Sequence, residues 1–278
     1  MTLYIVATPI GNLEDITERA VRILKEVDVC YAEDTRHARG LFQRFGIQTK
    51  LLAYHDHSSD ELRERIVDEL QRGKKFALIS DAGTPCISDP GYRLVRLARA
   101  HGVAVEPIPG ASALTAFLSA AGLPTDRFLF AGFLPQKSKA RQDRLAELLA
   151  AEMTVVCYES PNRLKATLTE LDGLSPDAEV VVAREVTKMY ETWLHGTAAS
   201  VRDTLEAQQG WRGEIVLGFY PPAKEGVSDD ETDAWIAELS AHGVSARSIA
   251  EILQKRLQLP RKELYQRALV QRAQKDES

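Results

Sequence analysis

The sequence predicts an α/β protein: two successive α/β domains followed by a small helical extension. Three observations carry this. Strand–loop–helix units recur three times in the first 125 residues. From residue 126 further apolar runs alternate with stretches of helical periodicity. After PPAKEGVSDDE, rich in Pro, Gly, Ser and acids, only helical patterns remain. The expected domains are 1–125, 126–222 and, for the linker and helices, 223–278.

In the first region LYIVA runs through TPIGN into DITERAVRILKEV, KKFALI through SDAGTPCISDPG into YRLVRLARAHG, and VAVEPI through PGAS into ALTAFLSAAG. These strands are apolar without alternation, the pattern of strands buried on both faces of a parallel sheet. Leu94, Val95, Leu97 and Ala98 recur at helical spacing, and Gly102 closes that helix. VDVCYA reads as a strand ending before Glu33 and Asp34. In the second region MTVVCYE, AEVVVARE and GEIVLGFY are strands, PNRLKATLTELDGL and AASVRDTLEAQQ are helices, and TKMYETWLHGT suggests a hairpin. Ser228 precedes Glu231 at capping-box spacing, and DETDAWIAELSAHG, SARSIAEILQKRLQ and PRKELYQRALVQRAQ read as three helices.

Hydrophobic content of 44% and charged content of 27% over 278 residues are those of an ordinary globular protein. No run approaches the roughly 18 apolar residues of a membrane span, and no basic segment precedes an apolar one at the N-terminus. Cys30, Cys86 and Cys157 are odd in number and widely spaced, which suits free thiols and a cytoplasmic location. Without a CxxC pair no metal site is expected. The net charge of −5 hides an asymmetry: residues 244–275 hold eight basic residues against Glu251 and Glu263, a balance of +6 that leaves −11 for the remainder. A basic tail on an acidic body calls for a partner.

The loop SDAGTPCISDPG, residues 80–91, is longer than the roughly 2–6 residues that a plain α/β connection needs. Small residues let a backbone approach a ligand closely, and three such loops fall at the carboxyl ends of strands, where open α/β sheets bind ligands. There is no GxxxxGK(S/T) and no GxGxxG after the first strand, which excludes the common phosphate and dinucleotide cradles. Asp81 and Asp89 oppose a polyphosphate and suit a cationic ligand, a description that S-adenosylmethionine fits.

SDAGTPCISDPG, with TPIGNLEDIT and AEDTR before it and PGASA after it, closely resembles the signature of the ribosomal RNA small subunit methyltransferase I family, whose members have the tetrapyrrole-methylase-like fold. The resemblance extends through YESPNR, AREVTKMYET and GEIVL, over roughly residues 3–220, and RKELYQRAL resembles the family's helical extension. It implies two α/β domains with the cofactor cleft between them. It further implies a cytoplasmic homodimer that uses S-adenosylmethionine to methylate the ribose 2′-oxygen of a cytidine in the decoding region of 16S rRNA. Carried over by position, cofactor contacts fall on Pro9 and Ile10, on Ser80, Asp81, Ala82, Gly83, Ile87 and Ser88, on Ser112 and Ala113, and on Tyr158. LLAYHDHSS departs from the family string YHEHNE, so no role is carried to Ser58 or Ser59.

For the chemistry, Glu33, Asp34 and Arg36 in AEDTR, which follows a strand, are either an exposed acid–base cluster that stabilises a loop or site groups at the crevice mouth; the resemblance favours the second for Asp34, as candidate base, and Arg36, as substrate contact. Lys188 is either a surface charge or a cation that lowers the pKa of the ribose hydroxyl. His55 and His57 could share one side of a strand but lack a third metal ligand nearby. Trp193 and Trp211 read as core or interface rather than base platforms. The tail resembles a helix-turn-helix in which Arg247, Lys255, Arg256, Arg261 and Lys262 grip rRNA phosphates. A methylase of this fold acting on a small tetrapyrrole is the alternative, though it has no use for a basic tail. A non-catalytic rRNA-binding assembly factor is a third reading, opposed by the intact glycine-bearing loop.

Overall fold

The computed structural model describes residues 1–208, 211–222, 229–257 and 259–276, without the side chains of 255, 256 and 272–276. The chain divides into two compact units, Met1–Pro222 and Ala223–Ser278. The first unit begins with β1 (Thr2–Val6), α1 (Glu18–Glu26), β2 (Val29–Ala32), α2 (Thr35–Arg44), β3 (Lys50–Ala53), α3 (Asp60–Gln71), β4 (Lys75–Ile79), α4 (Tyr92–Ala100), β5 (Ala104–Ile108) and α5 (Ala113–Ala120). The five strands form one parallel sheet in the order β3-β2-β4-β1-β5.

Burial on both faces explains the unbroken apolar runs of the central strands. Phe76 and Leu78 of β4 pack with Ile66, Val67 and Leu70 of α3 and Leu94 and Ala98 of α4. Ala77 and Ile79, one residue out of phase, pack with Ala20, Ile23 and Leu24 of α1 and Ala38 and Phe42 of α2. VAVEPI departs from the expectation. It forms the sheet edge, with Ala104, Glu106 and Pro107 exposed, and Pro107 has no N–H to give to a further strand.

The unit continues with β6 (Phe128–Phe133), α6 (Ser138–Leu149), β7 (Thr154–Glu159), α7 (Pro161–Leu174), β8 (Glu179–Arg184), β9 (Thr192–Gly196), α8 (Ala198–Ala207) and β10 (Ile215–Tyr220). This sheet runs β6-β7-β10-β8-β9, with only the β6–β7 pair parallel. Helices α6, α7 and α8 cover one face through residues such as Leu145, Leu168 and Val201. Phe117 and Leu118 of α5 pack against Val156, Val181 and Val216 on the other face. Helix α5 thus leaves the first sheet and builds the core of the second.

In the second unit α9 (Asp229–Ala241), α10 (Ala246–Leu257) and α11 (Arg261–Asp276) enclose Ile236, Ile249, Leu253 and Leu264. The expected cap, Ser228, lies outside the described residues.

Candidate active site

The loops following β1, β4 and β5 are tied together at the carboxyl edge of the first sheet. Thr8 and Gly83 exchange two backbone hydrogen bonds, of 2.9 and 3.0 Å. The Ala7 N–H donates to Ile108 O at 3.2 Å, and the Thr84 hydroxyl donates to Ala111 O at 3.2 Å. Gly83 sits at φ +75°, in the left-handed region, with Ile10 Cγ2 only 3.3 Å from where a Cβ would lie. A side chain there would strain the backbone and press on the first loop. The loop after β2 joins them, since the Asp34 N–H donates to Asp81 Oδ1 at 3.0 Å.

These loops and the strand ends of the second sheet enclose a cleft of about 460 Å³, within the range of small-molecule sites. Ile10, Asp81, Ala82, Gly83, Ile87, Ser88, Ser112, Ala113 and Tyr158 line it. Pro9 and Ser80 do not; Ser80 is buried and donates its hydroxyl to Ala82 O at 3.1 Å, shaping the loop from behind. Asp89, expected with Asp81 to suit a cationic ligand, lines the cleft too, whereas Glu33, Thr84, Phe133, Glu159 and Glu214 were not expected as lining residues. For Glu159 and Glu214 a signal was present in YESPNR and GEIVL, polar residues set at the ends of buried strands. Four non-glycine residues bordering the cleft lie in the left-handed region: Cys86 (φ 72°), Ser88 (φ 63°), Glu185 (φ 53°) and Thr187 (φ 69°). Such strain concentrates at ligand sites.

Among the described residues the lining holds no Lys or Arg, while Glu33, Asp81 and Asp89 face the cavity. Burial raises the Asp89 carboxyl to about 6, and the charges of Asp81 and Asp56 add to the shift. Burial, then Asp81 and Asp89, raise Glu33 above its ordinary value. Mutually repelling carboxylates without a cation attract a cationic ligand and reject a phosphate.

The three residues singled out for chemistry do not line this cleft. Asp34 is the N-cap of α2: its Oδ1 accepts from the Arg36 N–H at 2.8 Å, and its carboxylate is paired with the Arg36 guanidinium at 2.7 Å. These hydrogen bonds hold it far below the usual carboxylate range, which makes it a poor base. Arg36 itself is exposed. Lys188 Nζ is hydrogen-bonded to Glu185 at 2.9 Å and to Glu214 at 3.0 Å. Burial pulls its pKa down, but the two carboxylates outweigh that and leave it raised. The Lys188 stem crosses the first loop at Gly11, so Lys188 ties that loop to the cleft-lining Glu214.

His55 and His57 occupy a turn after β3 rather than a strand, and the described residues contain no cluster able to hold a metal. Trp193 stacks on Phe117 at 5.5 Å, and Trp211 lies under the Arg184 guanidinium at 5.9 Å. In the second unit Arg247, Arg261 and Lys262 are exposed, with Arg261 3.9 Å from Glu251. Lys255 and Arg256 belong to α10, with side chains outside the described residues. Arg267 is a clamp, paired with Asp229 and, at 2.9 Å, with Asp233 of α9, so one of the eight basic charges is neutralised within the unit.

Residues 2–202 match the family model described as Tetrapyrrole (Corrin/Porphyrin) Methylases. The ribosomal RNA small subunit methyltransferase I of Xylella fastidiosa is 46% identical over 266 residues, which cover 95% of this chain and 97% of that protein. The protein of the same name from Pseudomonas aeruginosa is 46% identical over 277 residues, covering 96% of each. Among solved structures, a uroporphyrin-III C-methyltransferase from Thermus thermophilus complexed with S-adenyl homocysteine matches with a TM-score of 0.53 and 20% identity, over 79% of this chain and 97% of that one. At that identity the likeness concerns the fold.

Proposed function

Since the chain belongs to the tetrapyrrole methylase family, and within it to the ribosomal RNA small subunit methyltransferase I group, we propose that it methylates the ribose 2′-oxygen of a cytidine in the decoding region of 16S rRNA. S-adenosylmethionine is the methyl donor. The observation that carries the reading is the cleft: acidic, free of Lys and Arg among its described lining, bounded by close-approach loops, and of a size for one such ligand. When bound, the donor supplies a methyl group on a cationic sulfur.

The chain's own residues supply orientation and a proton acceptor. Holding reacting atoms in line contributes roughly 7–11 kcal/mol of a barrier. The loops after β1, β4 and β5 suit this task because hydrogen bonds between them fix them before any ligand arrives. Glu33 replaces Asp34 as the acceptor of the hydroxyl proton: it lines the cleft, and burial raises its affinity for a proton. Asp34 orients Arg36 at the mouth, and Lys188 holds Glu214 at the rim. The exposed Arg247, Arg261 and Lys262, with Lys255 and Arg256, serve as phosphate contacts. The enzyme works as a cytoplasmic homodimer on 16S rRNA within the small subunit; the names of its relatives support the rRNA part of this reading, and no helix among the described residues is long and apolar enough to cross a membrane.

Incubating the protein with methyl-labelled S-adenosylmethionine and either small ribosomal subunits or a tetrapyrrole macrocycle tests the proposal. Label in an alkali-stable dinucleotide of 16S rRNA is expected, because a 2′-O-methyl group blocks alkaline cleavage. Label transferred to the macrocycle alone overturns it.

A further inference from the structure

We propose that Phe133 is the platform on which the acceptor nucleobase stacks, an inference that rests on the RNA methyltransferase reading above. Strand β6 pairs with β7 in the register Phe128↔Thr154, Leu129↔Val155 and Phe130↔Val156, and the register then slips so that Phe133 pairs with Tyr158. Three steps on one strand match two on the other, the mark of a bulge. In a regular strand Phe130 and Phe133 would face opposite sides of the sheet. Here both rings meet Tyr158 edge-on, at 5.0 and 5.5 Å. Gly132, at φ +63°, makes the slip possible, and Ser88 Oγ of the cofactor loop lies 3.2 Å from where its Cβ would be.

The backbone next to the ring is also held. Arg163 donates to Leu134 O at 3.3 Å and is itself fixed by the fully buried carboxylate of Glu159 at 2.7 Å. Bulge, tyrosine contact and arginine tie thus preorganise an aromatic ring that is still 61% exposed and lines the cleft. A bulge, a glycine and a buried ion pair that together carry a phenyl ring out to the rim of an acidic cavity leave its outer face suited to a planar, stacking ligand.

Two planar groups are candidates, the adenine of the donor and the base of the acceptor nucleotide. A cleft of about 460 Å³ holds one cofactor-sized ligand, so a polymer must present its ribose at the mouth, where Phe133 stands. Sequence-specific RNA enzymes act on unstacked bases splayed onto aromatic side chains, and such stacking tolerates any base. Phe133 therefore fixes the nucleotide while the cleft fixes the donor.

The test compares wild type with Phe133→Ala, Phe133→Leu and Phe133→Trp. Calorimetry gives the affinity for S-adenosylmethionine, thermal melting confirms folding, and initial rates on small ribosomal subunits give KM and kcat. The expected result for Phe133→Ala is unchanged donor affinity with an RNA KM raised about 10- to 100-fold, restored by Trp and not by Leu. Loss of donor affinity in Phe133→Ala overturns the proposal in favour of the adenine. An unchanged KM, or full activity of Phe133→Leu, overturns it in favour of apolar packing. Absence of rRNA methylation by wild type removes the underlying reading as well, a result distinct from wild-type activity with an indifferent Phe133→Ala.

Discussion

Asp89 shows how one residue reports on the cleft. Its carboxyl titrates near 6 in the folded protein, against roughly 3.9 in an unfolded chain. The native state therefore binds the extra proton between these values, and stability falls as pH rises through that window. Above about pH 6 the cost of the buried charge beside Asp81 and Asp56 is complete. Asp89→Asn should raise stability at pH 7.5 by about 1–3 kcal/mol, with the difference shrinking toward pH 4, as read by urea melts. A cationic donor prefers the ionised form, so wild-type affinity for S-adenosylmethionine should rise from pH 5 to 7, and the Asn variant should flatten that rise. Neighbouring Glu33 and Asp34 separate by kinetics. Glu33→Gln should lower kcat about 100-fold or more, whereas Asp34→Asn should change kcat less than about tenfold and act on RNA KM. The glycine-bearing loop was legible because small residues punctuate a buried strand. The roles of Glu33 and Asp34 were not, because the start of α2 turns one carboxylate into the cleft and uses the next as its cap.

Elements were legible where hydrophobic pattern and partner coincide. Strands β1, β4, β7, β8 and β10 carry unbroken apolar runs between their ends and stood out. Helix α6 did not, because Arg141 occupies one of its three buried positions and its pairing with Glu170 is visible only in three dimensions. That pair is almost wholly buried, at 5% and 8% exposure, with two further hydrogen bonds to Glu170 at 2.7 Å. Glu170→Ala strands a buried guanidinium and should cost about 3–5 kcal/mol in a denaturant titration. Strand β3 was hidden by its shortness and half-exposed edge position, and β6 by the glycine of its bulge. Helices α2 and α3 were hidden by charge: α3 buries Ile66, Val67 and Leu70 among five acids and two arginines. The tail helices were legible from periodicity, but the pairing of Arg267 with Asp229 and Asp233 of α9 is visible only in three dimensions.

At the scale of the whole molecule the chemistry is assigned, as proposed, to the body of two sheets and the polymer to the helical unit, whose residues 244–275 carry a balance of +6 although residues 223–278 together sum to −1. Removing residues 223–278 should leave S-adenosylmethionine affinity unchanged within about twofold while flattening the salt dependence of RNA binding, because each phosphate contact contributes roughly −0.7 to −0.9 to that slope. An unchanged slope in a filter-binding series would exclude the unit as an RNA grip. The two-sheet architecture followed from the sequence because the central strands are covered on both faces. The joining of the sheets through α5 did not, because that helix leaves one sheet to pack on the other. The most direct measurement of the central claim is a map of ribose methylation along 16S rRNA from cells with and without this protein. One cytidine 2′-O-methyl mark in the decoding region is expected to disappear with the protein and to return with wild type but not with Glu33→Gln. An identical map in both cells would contradict it.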